Sequence, residues 1–106
     1  MSITFPIPFD ESLPDQEFRD SVFSLFNDIY TVQLEGESLP VPINAQVEEM
    51  DFRNQVESVF TDLYSEKFKQ SFPLPFNKDC DIVEWRSQVW HMFMDIYSTQ
   101  IEGYTP

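Results

Sequence analysis

The chain of 106 residues holds two glycines, one cysteine and one histidine, and six basic residues stand against 19 acidic ones. Two glycines are too few for a glycine-rich loop that cradles phosphate. A single cysteine excludes an internal disulfide framework, and Cys80 with His91 falls short of the four nitrogen or sulfur ligands of a structural zinc site. A net charge of −13 repels nucleic acid and anionic membrane surfaces. No stretch approaches the ~18 to 20 apolar residues that span a bilayer, and no basic leader precedes an apolar run in Met1–Pro6. The expectation is a cytoplasmic protein that needs no metal or cofactor, makes no direct contact with nucleic acid or membrane, and prefers cationic partners.

Aromatic residues are abundant. Hydrophobic residues make up 42% of the chain and aromatics 16%, including eleven phenylalanines and two tryptophans. The charge favours disorder, whereas this aromatic content favours a packed core. A length near one hundred residues suffices for one modest domain, expected to span residues 1–106.

Comparison of the chain with itself resolves the conflict. Phe5-Pro6-Ile7-Pro8-Phe9 recurs as Leu39-Pro40-Val41-Pro42-Ile43 and as Phe72-Pro73-Leu74-Pro75-Phe76, at spacings of 34 and then 33 residues. Phe18-Arg19, Phe52-Arg53 and Trp85-Arg86 keep the same offsets, and so do Asp28-Ile29-Tyr30, Asp62-Leu63-Tyr64 and Asp95-Ile96-Tyr97. Three units are therefore expected, over residues 5–36, 39–70 and 72–103.

Each unit reads as an extended Pro-x-Pro segment, a polar connection and one amphipathic helix. Alternate prolines remove backbone donors and fix φ, which disfavours a central strand. Phe18, Val22, Leu25, Phe26 and Ile29 line one helical face, as do Phe52, Val56, Val59, Phe60 and Leu63, and then Trp85, Val89, Met92, Phe93 and Ile96. Ser12, Pro14 and Asp15 suit a helix start, and Asp81 with Glu84 has capping-box spacing. Gly36 and Gly103 suit helix stops, while the second helix is expected to run on through Lys67, Lys69 and Gln70. A helix of about 19 residues measures roughly 28 Å. About ten extended residues cover roughly 31 Å, enough to return along it. The expected fold is all-α: a compact three-helix domain of three Pro-x-Pro plus helix repeats with pseudo-threefold symmetry, with parallel helices preferred over an up-down-up bundle.

Candidate sites follow from the same pattern. Arg19 and Asp28 lie nine positions apart, on opposite sides of one helix, so the repeated Arg and Asp point to surface solubility or to contacts between helices, with a direct role of Arg in partner binding as the alternative. Arg86, Trp90, Met94 and Tyr97 form a stripe beside the core face of the third helix, and only that unit makes the stripe strongly apolar. Burial of helix three on both faces competes with an exposed partner-binding stripe, through which a homodimer could also form. Residues 1–43 carry eight acidic residues and one basic, net −7, so the first unit supplies most of the field. There Asp15, Glu17, Asp20 and Asp28 are candidates to meet a basic partner, against the simpler reading of a solvated acidic face.

Asn77, Asp79 and Asp81 alternate as in a calcium loop, but Ile82 stands where the turn needs Gly and Gln88 where ligation needs Glu, so capping explains them better. No pattern pairs a nucleophile with a base. The expected function is that of a small acidic non-enzymatic module that docks on, and inhibits or scaffolds, a protein with a basic surface. The alternatives are a nucleic-acid mimic that blocks a nucleic-acid-binding protein, and a multivalent scaffold with three similar binding units.

Overall fold

In each helix of this chain an α-helical body passes without a break into a π-helical turn. The computed structural model describes residues 5–7 and 9–100, and among them the regular structure is helical, with no strand. Three helices of 19 residues follow in order. The bodies are α1 (Asp15–Asp28), α2 (Glu49–Thr61) and α3 (Ile82–Asp95), prolonged by π turns at Ile29–Gln33, Asp62–Lys67 and Ile96–Gln100.

Local chemistry sets the helix starts. Asp81 Oδ1 accepts from the Glu84 backbone N–H at 2.8 Å, the capping expected from the sequence. α1 begins at Asp15 as expected, but Ser12 does not cap it. Asp10 Oδ1 accepts from the Ser12 N–H at 2.8 Å and from its hydroxyl at 3.0 Å, closing a turn ahead of the helix. Asn44 and Asn77 close the same turn on the N–H groups of Gln46 and Asp79, at 2.9 and 2.8 Å.

The helix ends depart from expectation in one respect. α2 does not continue through Lys69: its π turn closes at Lys67, and Lys69 adopts φ 58°. The chain must reverse there so that Gln70 N–H can reach the Tyr64 carbonyl at 2.7 Å and Phe72 can pack edge-on against Tyr64 at 5.5 Å. The first helix ends alike, with Glu35 at φ 58° and Glu37 N–H on the Tyr30 carbonyl at 2.8 Å. This bond spans one more residue than its counterpart, and Gly36, at φ 92°, takes up the difference in spacing. Gly103 lies outside the described residues.

The three helices point the same way. Arg19, near the start of α1, reaches Glu49 at the start of α2, while Tyr30, past the end of α1, reaches Asp62 past the end of α2. α3 is tied to both by the same ends, through Tyr64 to Asp95 and Tyr97 to Asp28. The connections therefore return along the helices. Within them, Leu39, Val41 and Ile43, and likewise Phe72, Leu74 and Phe76, are half-buried, whereas Pro40, Pro42, Pro73 and Pro75 face solvent. An extended chain directs alternate side chains to opposite faces, and the exposed prolines carry no N–H that would seek a partner strand.

The returning segments wedge between helices. Phe9 stacks on Phe18 of α1 at 5.4 Å and meets Phe93 of α3 edge-on at 5.5 Å; Phe76 lies between Trp85 of α3, at 5.2 Å, and Phe60 of α2, at 5.7 Å. At the centre Phe26, Phe60 and Phe93 meet with ring centroids 4.9, 5.1 and 4.9 Å apart, in tilted or edge-to-face geometries favourable to aromatic pairs. One continuous hydrophobic cluster takes side chains from all three helices.

Candidate functional site

Three arginines on the shoulders of the helices are held almost entirely by the protein itself. Arg19 donates from one guanidinium nitrogen to the Ala45 and Val47 carbonyls at 3.2 and 2.6 Å and from another to Glu49 at 2.9 Å. Arg53 donates to the Lys78 and Cys80 carbonyls, both at 2.7 Å, and to Glu49 of its own helix at 2.7 Å. Arg86 donates to the Leu13 carbonyl at 2.8 Å, more distantly to the Glu11 carbonyl at 3.5 Å, and to Asp15 at 3.3 Å. Each guanidinium also lies over an aromatic ring of the next helix: Arg19 over Phe52 at 4.9 Å, Arg53 over Trp85 at 5.2 Å, Arg86 over Phe18 at 4.9 Å. The carbonyls belong to the loops that enter α2, α3 and α1 in turn. A guanidinium presents enough fixed donors to satisfy loop carbonyls and a carboxylate together.

The opposite end of the bundle repeats this logic with tyrosines. Tyr30 donates to Asp62 at 2.7 Å, Tyr64 to Asp95 at 2.6 Å and Tyr97 to Asp28 at 2.7 Å. Burial, followed by the neighbouring Asp62 carboxylate, drives the Tyr30 hydroxyl's pKa far above its ordinary value, and burial with Asp95 does the same at Tyr64.

Of the partner-binding candidates named from sequence, Tyr97 is buried with its hydroxyl on Asp28, and Asp15 pairs with both Arg19 and Arg86. Met94 is half-buried. Glu17 and Asp20 are exposed and border a shallow hollow of about 300 Å³ with Ile7, Leu13 and Ser21. Arg86 and Trp90 lie together in a different place, an open groove of about 750 Å³ between the start of α3 and the loop that enters α1. Its other lining residues are Phe9, Asp10, Glu11, Ser12, Ile82 and Val83. Phe5 packs edge-on against Trp90 at 5.9 Å and against Tyr97 at 5.8 Å, covering that end of the stripe.

The groove residues beyond Arg86 and Trp90 were not singled out from the stripe alone. Their signal lies in the alignment of the units, where Ile82 occupies the position of Asp15 and Glu49. Arg19 has an acid four residues earlier and another on the next helix, Asp15 and Glu49. Ile82 deprives Arg53 of the second kind and Arg86 of the first. Accordingly Arg86 Nε is buried without a hydrogen-bond partner. Arg19 Nε is 3.3 Å from Asp15 Oδ2, within ion-pair range but without hydrogen-bond geometry.

Electrostatics give the groove a negative rim. The backbone N–H and then the hydroxyl of Ser12 hold the Asp10 carboxyl below the usual carboxylate range, so it is ionised at neutral pH. The Arg86 charge is already engaged by Asp15.

Elsewhere the chemistry is spare. Cys80 is half-buried, and burial raises its thiol pKa. His91 is exposed, with Nδ1 2.7 Å from the Ser87 carbonyl. Asn77 and Asp81 are engaged in turn and cap, and among the described residues no group of three or more potential ligands could hold a metal ion. No helix among the described residues is long and apolar enough to cross a membrane. Compared with known protein families, curated proteins and solved structures, the chain matches none of them.

Proposed function

We propose that this chain is a small non-enzymatic protein-binding module that docks on a partner with a basic surface and thereby inhibits or scaffolds it. Its three Pro-x-Pro plus helix units are, in this reading, duplicated copies arranged with pseudo-threefold symmetry. Support for the arrangement comes from the bonds that pass from helix to helix and return to the first: Tyr30 to Asp62, Tyr64 to Asp95, Tyr97 to Asp28. The arginines run in the same order onto the loops ahead of α2, α3 and α1.

One observation carries the functional reading. The polar residues that the units share join them to one another, whereas residues at which the units differ, Glu11, Ile82 and Trp90 among them, line an open groove with acids on its rim. A chain of net charge −13 attracts a basic partner over a Debye length of about 8 Å, and short-range affinity then comes from aromatic and apolar contact.

The test is affinity capture with the immobilised protein from its native cell extract, at low salt, at high salt and after nuclease treatment. The expected result is a retained protein that elutes as salt rises and survives nuclease. Competition of that partner by DNA or RNA would redirect the reading to nucleic-acid mimicry, and retention insensitive to salt would remove the electrostatic mechanism.

A further inference from the structure

The chain contains its own comparisons for the groove. At the corresponding place between α2 and the loop entering α3, Lys78 reaches across to Glu57 at 3.0 Å and to Asn54 at 2.7 Å, so a cation from the loop clasps an acid on the helix. Between α3 and the loop entering α1, the aligned residues are Glu11 and Trp90. The loop side has become an acid and the helix side an indole. Among the described residues no ion pair engages Glu11, and Asp10 lines the same wall.

An acidic residue and an indole lining one groove suit one kind of occupant. A lysine or arginine side chain can pair with the acid while its head lies over the indole, and both attractions strengthen as the occupant excludes water. Next to them Ile82 and Val83 offer apolar surface in the first turn of α3, and Val83 is 72% exposed. An acid at the position of Ile82 would instead have suited the positive end of the helix dipole, as Asp15 and Glu49 do in α1 and α2. A volume of about 750 Å³ accommodates several side chains rather than one.

Resting on the docking reading above, we propose that this groove receives an amphipathic cationic segment of a partner protein, with a Lys or Arg side chain held between Glu11 and Trp90 and apolar side chains laid over Ile82 and Val83. The segment's apolar residues recur on one helical face, the helix-in-groove mode of recognition. The rest of the acidic surface steers the segment in, and the groove supplies its specificity.

The test uses the intact protein and three synthetic probes: an amidated amphipathic helical peptide of leucine and lysine, its leucine and glutamate counterpart, and a lysine homopeptide. Binding is followed by titration calorimetry and by amide and indole NMR shifts. The wild type is expected to bind the leucine-lysine peptide one-to-one with the largest shifts at Val83 and Trp90. The double variant Glu11→Lys/Trp90→Glu transplants the Lys78 and Glu57 clasp, and it is expected to weaken that binding about tenfold or more. Val83→Ser, at an exposed site, removes apolar surface without changing the charge and is expected to weaken binding without disturbing the fold, and thermal unfolding of both variants verifies folding. The lysine homopeptide is expected to bind all forms weakly and alike. If the variants bind the leucine-lysine peptide as tightly as the wild type does, the groove proposal falls while the acidic docking reading stands. Equal binding of the leucine-glutamate peptide overturns the cationic preference. Absence of binding by every cationic probe at low salt overturns the docking reading as well.

Discussion

The Tyr30 hydroxyl donates to the Asp62 carboxylate at 2.7 Å across the boundary between the first two helices, and Tyr64 makes the same bond to Asp95 at 2.6 Å. Both phenols are buried, so the bond satisfies a hydroxyl that could not reach water. Removing the hydroxyl leaves the half-buried carboxylate to rehydrate only in part. Tyr30→Phe and Tyr64→Phe are each expected to lower stability by about 1–2 kcal/mol, read from urea unfolding. A change indistinguishable from zero in both would show that the bonds add nothing to the joint between helices.

The same tyrosines set the alkaline limit of the fold. Their folded-state pKa values are raised from the ordinary 10.0, chiefly by burial, so the folded state keeps protons that the unfolded state releases. Their contribution is fully present below pH 10 and is lost as pH rises above it, each tyrosine steepening the decline by up to ~1.4 kcal/mol per pH unit. Denaturant unfolding between pH 8 and pH 12 checks this expectation. The Tyr30→Phe/Tyr64→Phe double variant should begin less stable and decline less steeply, and parallel pH curves for the two proteins would contradict it.

Arg53 joins α2 to the loop entering α3 through two carbonyls and one carboxylate, and it lies over Trp85. A lysine has the charge but cannot direct donors to all of these groups while stacking on the ring. Arg53→Lys is therefore expected to cost about 2 kcal/mol, because part-buried loop carbonyls lose their donor. Lys69→Arg, on an exposed turn, should change stability by less than about 0.5 kcal/mol and serves as the control. Equal unfolding midpoints for the two variants would reduce Arg53 to a surface charge.

How much of this was legible in the sequence depends on the range of the interaction. The core face from Phe18 to Ile29 and its two counterparts follow from helical periodicity, which is local, and every one of those residues is buried. The cap at Asp81 is equally local. The joint roles of Arg and Asp were readable only as a choice among solubility, interhelical contact and, for Arg, partner binding, since the hydrogen bonds of Arg19 reach residues 26 to 30 positions away. The π turns carried no legible signal, because apolar spacing near a helix end does not distinguish one hydrogen-bond register from the next. For the groove, the stripe supplied Arg86 and Trp90. Its other wall, at Glu11, comes from the far end of the chain and needed the tertiary fold.

Lys69 sits at φ 58°, a left-handed conformation that costs a residue with a side chain more than it costs glycine. The reversal there carries the backbone from Phe68 to Gln70, whose N–H closes on the Tyr64 carbonyl. Lys69→Gly is expected to raise stability by about 0.5–1 kcal/mol, with the relief of strain exceeding the added flexibility of the unfolded chain. Lys69→Ala, which removes the charge but retains a Cβ, should give no such gain. A larger increase for alanine than for glycine in thermal unfolding would place the effect in the charge instead.

The joint between α3 and α1 is made with the same residue types as the other two, although it links opposite ends of the sequence. Tyr97 bonds Asp28, Arg86 bonds the Leu13 carbonyl, and Phe5 packs on Tyr97. If those contacts rather than chain order hold the helices in place, the covalent break can move to another joint at the cost of loop-closure entropy, a term that grows slowly with loop length. A circular permutant opened between Glu37 and Ser38, with the original ends joined by a flexible Gly/Ser linker, is expected to retain the helical circular dichroism and cooperative unfolding of the parent. Opening at that site leaves the Tyr30 and Tyr64 turns intact, so a permutant that fails to fold would locate indispensable order in the α1 to α2 connection and contradict equivalence of the three joints. Retention of the fold, combined with the expected loss in a Tyr97→Phe version, would establish that the last joint carries load like the first two.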